Sequence, residues 1–449
     1  MSNVQTLGEE AVRKPSLHEQ GRRIKRRLTD YIPYLLILSL LIPYRIEVGP
    51  LLLSPNRIFL LLVLIPCLFT IMSGGLGRLR TVDVLIFAHV IWMTVAYFIA
   101  HGFADGAEPV GIRVVEVMGS YLVARLYIRS AEAFRNIVKM LFISVVIMLP
   151  LLLAEAVTGD HYLNRLFALA GPAMTPHFME PRLGLDRAFG VFVHPILLGV
   201  YCISVFSLTY YVLGYGSRRI TALFRTGLVG VGMACSLSAG PLLAGVIQSL
   251  LIAWDRLTRT IQNRWLVLSG SSVFIWVLID ILSNRTPFHV IVDYLTFNTG
   301  SAYNRILIWH FGSAEVARHP IFGIGLSEWE RPYWMSGSMD NFWLVLAVQG
   351  GVPALLFFAG AVLALCISVG RLRLTDPRLI SCRRGWMITI VGLALAGATV
   401  HYYKTIFCLL MFIIGSIVWM LDARQRVAAR TPVRPSAARR AAPGTIQLG

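Results

Sequence analysis

A minority of the arginines in this chain stand where a membrane protein ordinarily avoids them. Once the sequence is threaded through a bilayer, Arg182 and Arg187 fall in one long external loop, and Arg305, Arg318 and Arg331 in another. Basic residues are normally concentrated on the cytoplasmic side, so external arginines call for a separate reason. A guanidinium offers a planar fork of donors that matches phosphate oxygens. The chemistry suggested is the handling of an anion outside the cytoplasm without a metal.

Three clusters carry the candidates. In GLDRAFGVFVHPILLG (184–199), Arg187 and His194 bracket the entry to an apolar run. Arg187 fits an anion contact or an interfacial side chain reaching for headgroups. His194 fits a base or a cap for the span that starts at Pro195. In AYNRILIWHF (302–311), Arg305 is the anion candidate, and Tyr303 and Trp309 fit either sugar stacking or an interfacial aromatic belt. In the stretch 319–351, Asp340 and Asn341 stand at the mouth of another apolar run. A carboxylate there is costly unless paired or used. Asp340 suits a general base, and Asp or Asn equally suits a helix N-cap. Glu155 is a further carboxylate candidate, as a functional group or as the salt-bridge partner of an arginine.

Other chemistries lack their signatures. The external histidines show no ligand spacing such as H-E-x-x-H, so no metal site is expected. There is no phosphate-binding P-loop, no G-x-S-x-G and no dinucleotide fingerprint, so no cofactor is expected. Nucleotide-activated donors are absent outside the cytoplasm. A transferase working there must take a donor already activated in the membrane.

The elements that position these residues are transmembrane. Hydrophobic residues make up 56% of the 449 and charged residues 14%, where a soluble chain would be about a quarter charged. Apolar runs long enough to cross a bilayer recur along the chain. About twelve are read: 31–46, 56–73, 81–101, 110–128, 137–157, 195–215, 222–239, 241–255, 265–282, 340–369, 386–401 and 404–421. With both termini cytoplasmic, 30 of the 41 lysines and arginines lie inside and 11 outside, which sets the orientation. Gly240-Pro241 reads as a tight external turn and Gly74-Gly75 as a cytoplasmic one. Two external loops, about 158–194 and 283–339, are too long to be mere connectors. The second contains a short helix ended by Pro320. A basic segment (1–30) precedes the membrane domain (31–421), and an Ala-, Arg- and Pro-rich tail (422–449) follows it, expected to be disordered and drawn to anionic lipid. The net charge of +18 sits in short loops and tails beside apolar spans, so orientation accounts for it and nucleic acid does not. All six cysteines fall in spans or cytoplasmic loops, so no disulfide framework is expected.

The three clusters, in this order on a twelve-span scaffold, resemble the O-antigen ligase and Wzy-type polysaccharide polymerase superfamily. The resemblance covers residues 31–421. It is densest in RAFGVFVHP (187–195), NRILIW with HPIFGIG (304–325) and SMDNFWLVLAVQGG (338–351), and includes PYRIEVGPLLLSPNRIFLLL (43–62). It implies an all-α, GT-C-like, metal-independent inverting glycosyltransferase at the periplasmic face of a bacterial inner membrane. The implied donor is a glycan on undecaprenyl diphosphate, whose diphosphate external arginines bind, here Arg187 and Arg305. Asp340, Asn341 and His194 become the catalytic candidates, and Trp309 and Tyr303 the glycan contacts. A second lipid-linked glycan, the bilayer, a chain-length regulator and a flippase are the implied partners.

Two departures bear on the choice within the superfamily. Related ligases carry His-Asn where this chain has Asp340-Asn341, and a Ser-Arg-Gly that often ends the seventh span is replaced by SLSAGP (236–241). The polymerase reading is therefore favoured over a ligase that transfers glycan to lipid A-core. A transporter or flippase without covalent chemistry is the rival from another class. Its charges belong near the bilayer midplane in paired halves, and no inverted repeat is visible here.

Overall fold

A computed structural model of the chain describes residues 29–49, 51–174, 179–282 and 299–422. The expected basic segment 1–30 and tail 422–449 therefore fall almost wholly outside the described residues, as do parts of the two long loops (175–178 and 283–298). Among the described residues the chain is an all-α bundle with one small hairpin, β1 (Ile46–Val48) against β2 (Leu51–Leu53). Its helices are α1 (Ile32–Leu40), α2 (Pro55–Met72), α3 (Thr81–Val114), α4 (Ser120–Tyr127), α5 (Ala131–Thr158), α6 (Tyr162–Ala168) and α7 (Pro195–Leu208). They continue with α8 (Arg219–Cys235), α9 (Ala239–Leu257), α10 (Arg264–Leu282), α11 (Thr299–Arg318), α12 (Phe342–Gly370), α13 (Pro377–Gly397) and α14 (Thr405–Gly415). Among the described residues, eight helical segments are long and apolar enough to cross a membrane.

Helix starts follow local chemistry. Pro195 and Pro377 occupy first helical positions, where a missing N–H costs nothing. Asp376 accepts from the Arg378 N–H, and Ser130 from the Ala133 N–H, 3.1 Å away. One end of the bundle is pinned by buried ion pairs. Arg125 meets Asp83 at 3.2 Å, and Arg264 meets Asp255 at 2.6 Å. Tyr121 and Tyr211 donate to the same two carboxylates.

Two of the long helices double back. In α3 the Arg113 guanidinium donates to the Tyr97 hydroxyl at 3.0 Å, 16 residues earlier. A straight helix would separate the two backbones by about 24 Å. The reversal is at Gly102 (φ 72, ψ 179). Residues 103–109, expected as part of a loop between two spans, already belong to the returning arm. In α12 the rings of Phe342 and Phe358 lie 5.4 Å apart, and the reversal is at Gly351 (φ 74, ψ 175). The expected span 340–369 is thus a hairpin of a short arm (342–350) and a long arm (352–370). Both glycines occupy a backbone region essentially closed to other residues. An uninterrupted apolar run conceals such a turn from hydropathy.

The two hairpins interlock. The Trp92 indole donates to Gly350 O at 2.8 Å, His89 Nδ1 to Ala354 O at 2.9 Å, and the Tyr97 hydroxyl to Gln349 Oε1 at 3.1 Å. The loop after α11, which Pro320 ends as expected, clasps the α12 tip. Ile324 N–H bonds Val348 O at 2.8 Å, and Val352 N–H bonds Pro320 O at 2.8 Å. A Cβ at Gly351 would overlap the Ile321 carbonyl oxygen, whereas one at Gly102 would meet nothing within 4 Å. Gly102→Ala should therefore cost only the backbone strain, about 1–3 kcal/mol, and Gly351→Ala distinctly more. Thermal unfolding of the purified variants in detergent checks this. Equal losses would contradict the clasp.

Candidate functional site

Arg187, His194, Arg305 and Asp340 converge on one cavity of about 150 Å³. Arg182, Ser238, Ala239, Gly240 and Pro241 line it with them. The segments that meet here are distant in sequence, and each is held by a distinct device.

Arg187 is fixed by its own backbone. Glu155, 1% exposed on α5, accepts the N–H groups of Phe189 (2.9 Å) and Gly190 (3.2 Å), and His161 Nδ1 at 2.5 Å. Ala188 N–H bonds Cys235 O at 2.9 Å. Glu155 was expected as a functional carboxylate or the partner of an arginine. It is instead the anchor of the loop that carries Arg187. The Arg187 side chain, 4% exposed, donates to Ser238 Oγ at 3.0 Å and to Ser236 O at 3.4 Å. Arg182 donates to Leu237 O at 3.0 Å. The two arginines thus grip the 236–238 turn, where Leu237 takes a left-handed φ of 43.

That turn corrects one expectation. Gly240-Pro241 is no turn but the first helical turn of α9, which begins at Ala239. First-turn N–H groups have no acceptor in their own helix, and they favour an anion. The SLSAGP segment lacks an arginine of its own, yet Arg182 and Arg187 reach it from another loop. The start of α7 faces the same cavity through Ile196. His194 caps α7: its Nδ1 accepts the Ile196 N–H at 3.1 Å. With Nδ1 accepting, the neutral ring carries its proton on Nε2 and suits donation better than proton abstraction.

Arg305 and Asp340 come from the other loop. Ile308, one turn beyond Arg305, is buried with Trp329, Met335, Met339 and Leu344 in a small cluster that binds α11 to the short arm of α12. The N-cap of α12 is Asn341, whose Oδ1 accepts the Leu344 N–H at 3.1 Å. The capping role is therefore Asn341's, and Asp340 lines the cavity, where it accepts Ser338 Oγ at 3.0 Å. Tyr303 and Trp309, expected against the glycan, are 59% and 48% exposed and do not line the cavity. Among the described residues no group of histidine, cysteine or acidic side chains is arranged to hold a metal ion.

The electrostatics single out this site. Of the arginines in the two long loops, Arg165 is paired with Asp160 at 2.5 Å, Arg318 with Glu315 and Glu330 at 2.6 Å each, and Arg331 with Glu328 at 3.1 Å. Arg182, Arg187 and Arg305 have no carboxylate within ion-pair distance among the described residues, and all three line the cavity. Burial, and then the like charge of Arg182, press the Arg187 pKa down to about 10, so it remains a cation at neutral pH. Burial also lowers Arg305, with Asp340 opposing and Arg182 adding. Burial raises the Asp340 carboxyl, while Ser338 and then Arg305 restrain it.

No protein-family model matches this chain, and no curated protein is significantly similar to it.

The coupling of Arg305 to Asp340 has a definite sign. Arg305→Gln removes a charge that favours the carboxylate, so Asp340 should titrate at a higher pH. Infrared titration of the carboxyl band, assigned by its loss in Asp340→Asn, reads this without reference to activity. A band that titrates at an unchanged or lower pH would separate the two residues.

Proposed function

We propose that this chain is a membrane glycosyltransferase that polymerises oligosaccharide repeat units of an exopolysaccharide or O-antigen. The donor and acceptor are both glycans on undecaprenyl diphosphate, and the site faces the periplasm. The observation that carries the reading is the meeting of three carboxylate-free arginines, a helix N-terminus and one half-buried carboxylate in a single cavity. An isolated buried cation is costly unless a counter-charge arrives. A diphosphate supplies that charge, and the Asp340-Asn341 pair in place of His-Asn favours polymerase over ligase.

The chemistry needs positioning, charge neutralisation and a base. Arg187, Arg305 and the first turn of α9 hold the diphosphate. Asp340 takes the proton of an acceptor hydroxyl. The freed oxygen attacks the anomeric carbon on the face opposite the diphosphate. The bond from that carbon to the diphosphate oxygen breaks, its electron pair leaves with the diphosphate, and configuration inverts. Arg182 acts through the 236–238 turn, as a positioning residue. The reading includes twelve crossings in a GT-C-like arrangement. The eight long segments become nine when the two arms of 81–127 are counted apart, and α1, α8 and α9 complete the number. The short arm of α12 is not among them. The inward bias of lysine and arginine supports cytoplasmic termini.

Substitutions separate the roles. Arg187→Lys and Arg305→Lys should each lower turnover on the order of 100-fold, because a point charge cannot replace the fork. Asp340→Asn should fold, bind the lipid-linked donor and lose about 100-fold or more in turnover. His194→Gln, whose side-chain oxygen can still accept the Ile196 N–H, should keep most of its activity. A dead His194→Gln beside a fully active Asp340→Asn would move the base to His194.

A further inference from the structure

A second cavity, of about 300 Å³, adjoins the segment that carries Asp340. Ser338 and Met339 line it, while the next residue, Asp340, lines the arginine cavity. The α13–α14 loop divides in the same way, with Val400 facing one cavity and His401 the other. The two spaces are thus bordered by neighbouring residues of the same two segments, and Asp340 stands next to the residues that line the second.

Their chemistry is opposite. The first is cationic and small. In the second the charges are already spent. Arg331 donates to Trp329 O at 3.1 Å, to Met335 O at 3.3 Å and to Glu328 at 3.1 Å, which ties the 327–338 loop into a fixed wall. His401 is held neutral, with burial and then Arg113 pressing its pKa to about 3. The floor is Gln349. Its Oε1 accepts from Arg113 at 2.9 Å and Tyr97 at 3.1 Å. Because arginine can only donate, the amide orientation is forced and Nε2 is left as the donor. The Trp329 ring is fixed by its Nε1–H to Gly337 O at 3.1 Å. Arg331 also lies over the Trp329 ring at 5.7 Å, and a lining of apolar side chains, a few fixed polar groups and no net charge suits a hydroxyl-rich, uncharged ligand.

We infer that this cavity is the acceptor subsite and binds the terminal sugar of the acceptor glycan, with its attacking hydroxyl directed past Ser338 toward Asp340. The inference rests on the glycosyltransferase reading and adds to it the place and chemical class of the second substrate. Met339, Val345 and Val348 supply apolar wall, and Gln349 and Ser327 supply polar contacts. The diphosphate of the donor is excluded from this side for want of a free cation.

The probe is the repeat-unit oligosaccharide freed from its lipid diphosphate by mild acid. Its binding to the full-length protein in detergent is read by saturation-transfer NMR. Ser327 is exposed, and its side chain makes no hydrogen bond among the described residues, so Ser327→Trp should fill the cavity without unfolding the loop. The wild type and Asp340→Asn should bind the oligosaccharide alike, inorganic pyrophosphate should not displace it, and Ser327→Trp should bind at least 10-fold more weakly. An unchanged affinity in a Ser327→Trp protein of wild-type thermal stability overturns the subsite. So does displacement by pyrophosphate, or no binding by the wild type. Full turnover by Asp340→Asn would instead remove the base and leave this binding result standing.

Discussion

A guanidinium buried without a carboxylate is the constraint around which this bundle is organised. At one end of the molecule the rule for buried charge is obeyed: Arg125 has Asp83, and Arg264 has Asp255. At the other end Arg187 is as buried as those residues but, among the described residues, is met by a serine hydroxyl, a carbonyl and a neighbouring like charge and by no carboxylate within ion-pair distance. Its loop is held in place by Glu155, which spends its oxygens on backbone N–H groups and His161 and neutralises no arginine. The fold maintains a positive site, and the α9 N-terminus adds to it.

The carboxylate is placed by a different device. If α12 were straight, Asp340 would stand at the tip of a long span. Because the helix turns at Gly351, the short arm carries Asp340 back along the long arm to the level of Phe358. Asn341 takes over the capping bond, so Asp340 is released from structural duty. The clasp of the 319–325 loop on the α12 tip ties α11, which carries Arg305, to the arm that follows Asp340. The turn at Gly351 thus determines where the Asp340 carboxylate lies.

Much of this was legible in the residues, and the remainder was hidden for identifiable reasons. Arg187, Arg305 and Asp340 stood out by charge against the topological bias and by a carboxylate beside an apolar run, and the structure brings the three together. Pro320 marked the end of α11. The reversal inside 340–369 was not legible, because Gly350-Gly351 in an apolar run reads as continuous span until the backbone angles are seen. Residues 236–241 were misread for a related reason: Gly-Pro signals a turn, yet proline also opens helices. Arg182 carried the same charge signal as Arg187, but its grip on Leu237 O depends on a contact 55 residues away. Tyr303 and Trp309 looked like sugar platforms because aromatic residues at a membrane boundary fit both uses, and their exposed flank of α11 lies off the cavity.

The central claim is that the arginine cavity activates one lipid-linked glycan for attack by another. Purified protein in detergent, given only a single undecaprenyl-diphosphate-linked repeat unit and no metal, tests it most directly. Products resolved by gel or mass spectrometry should lengthen in whole repeat-unit steps while undecaprenyl diphosphate is released in proportion. An unaltered repeat unit, with protein that is folded and binds it, would contradict the account.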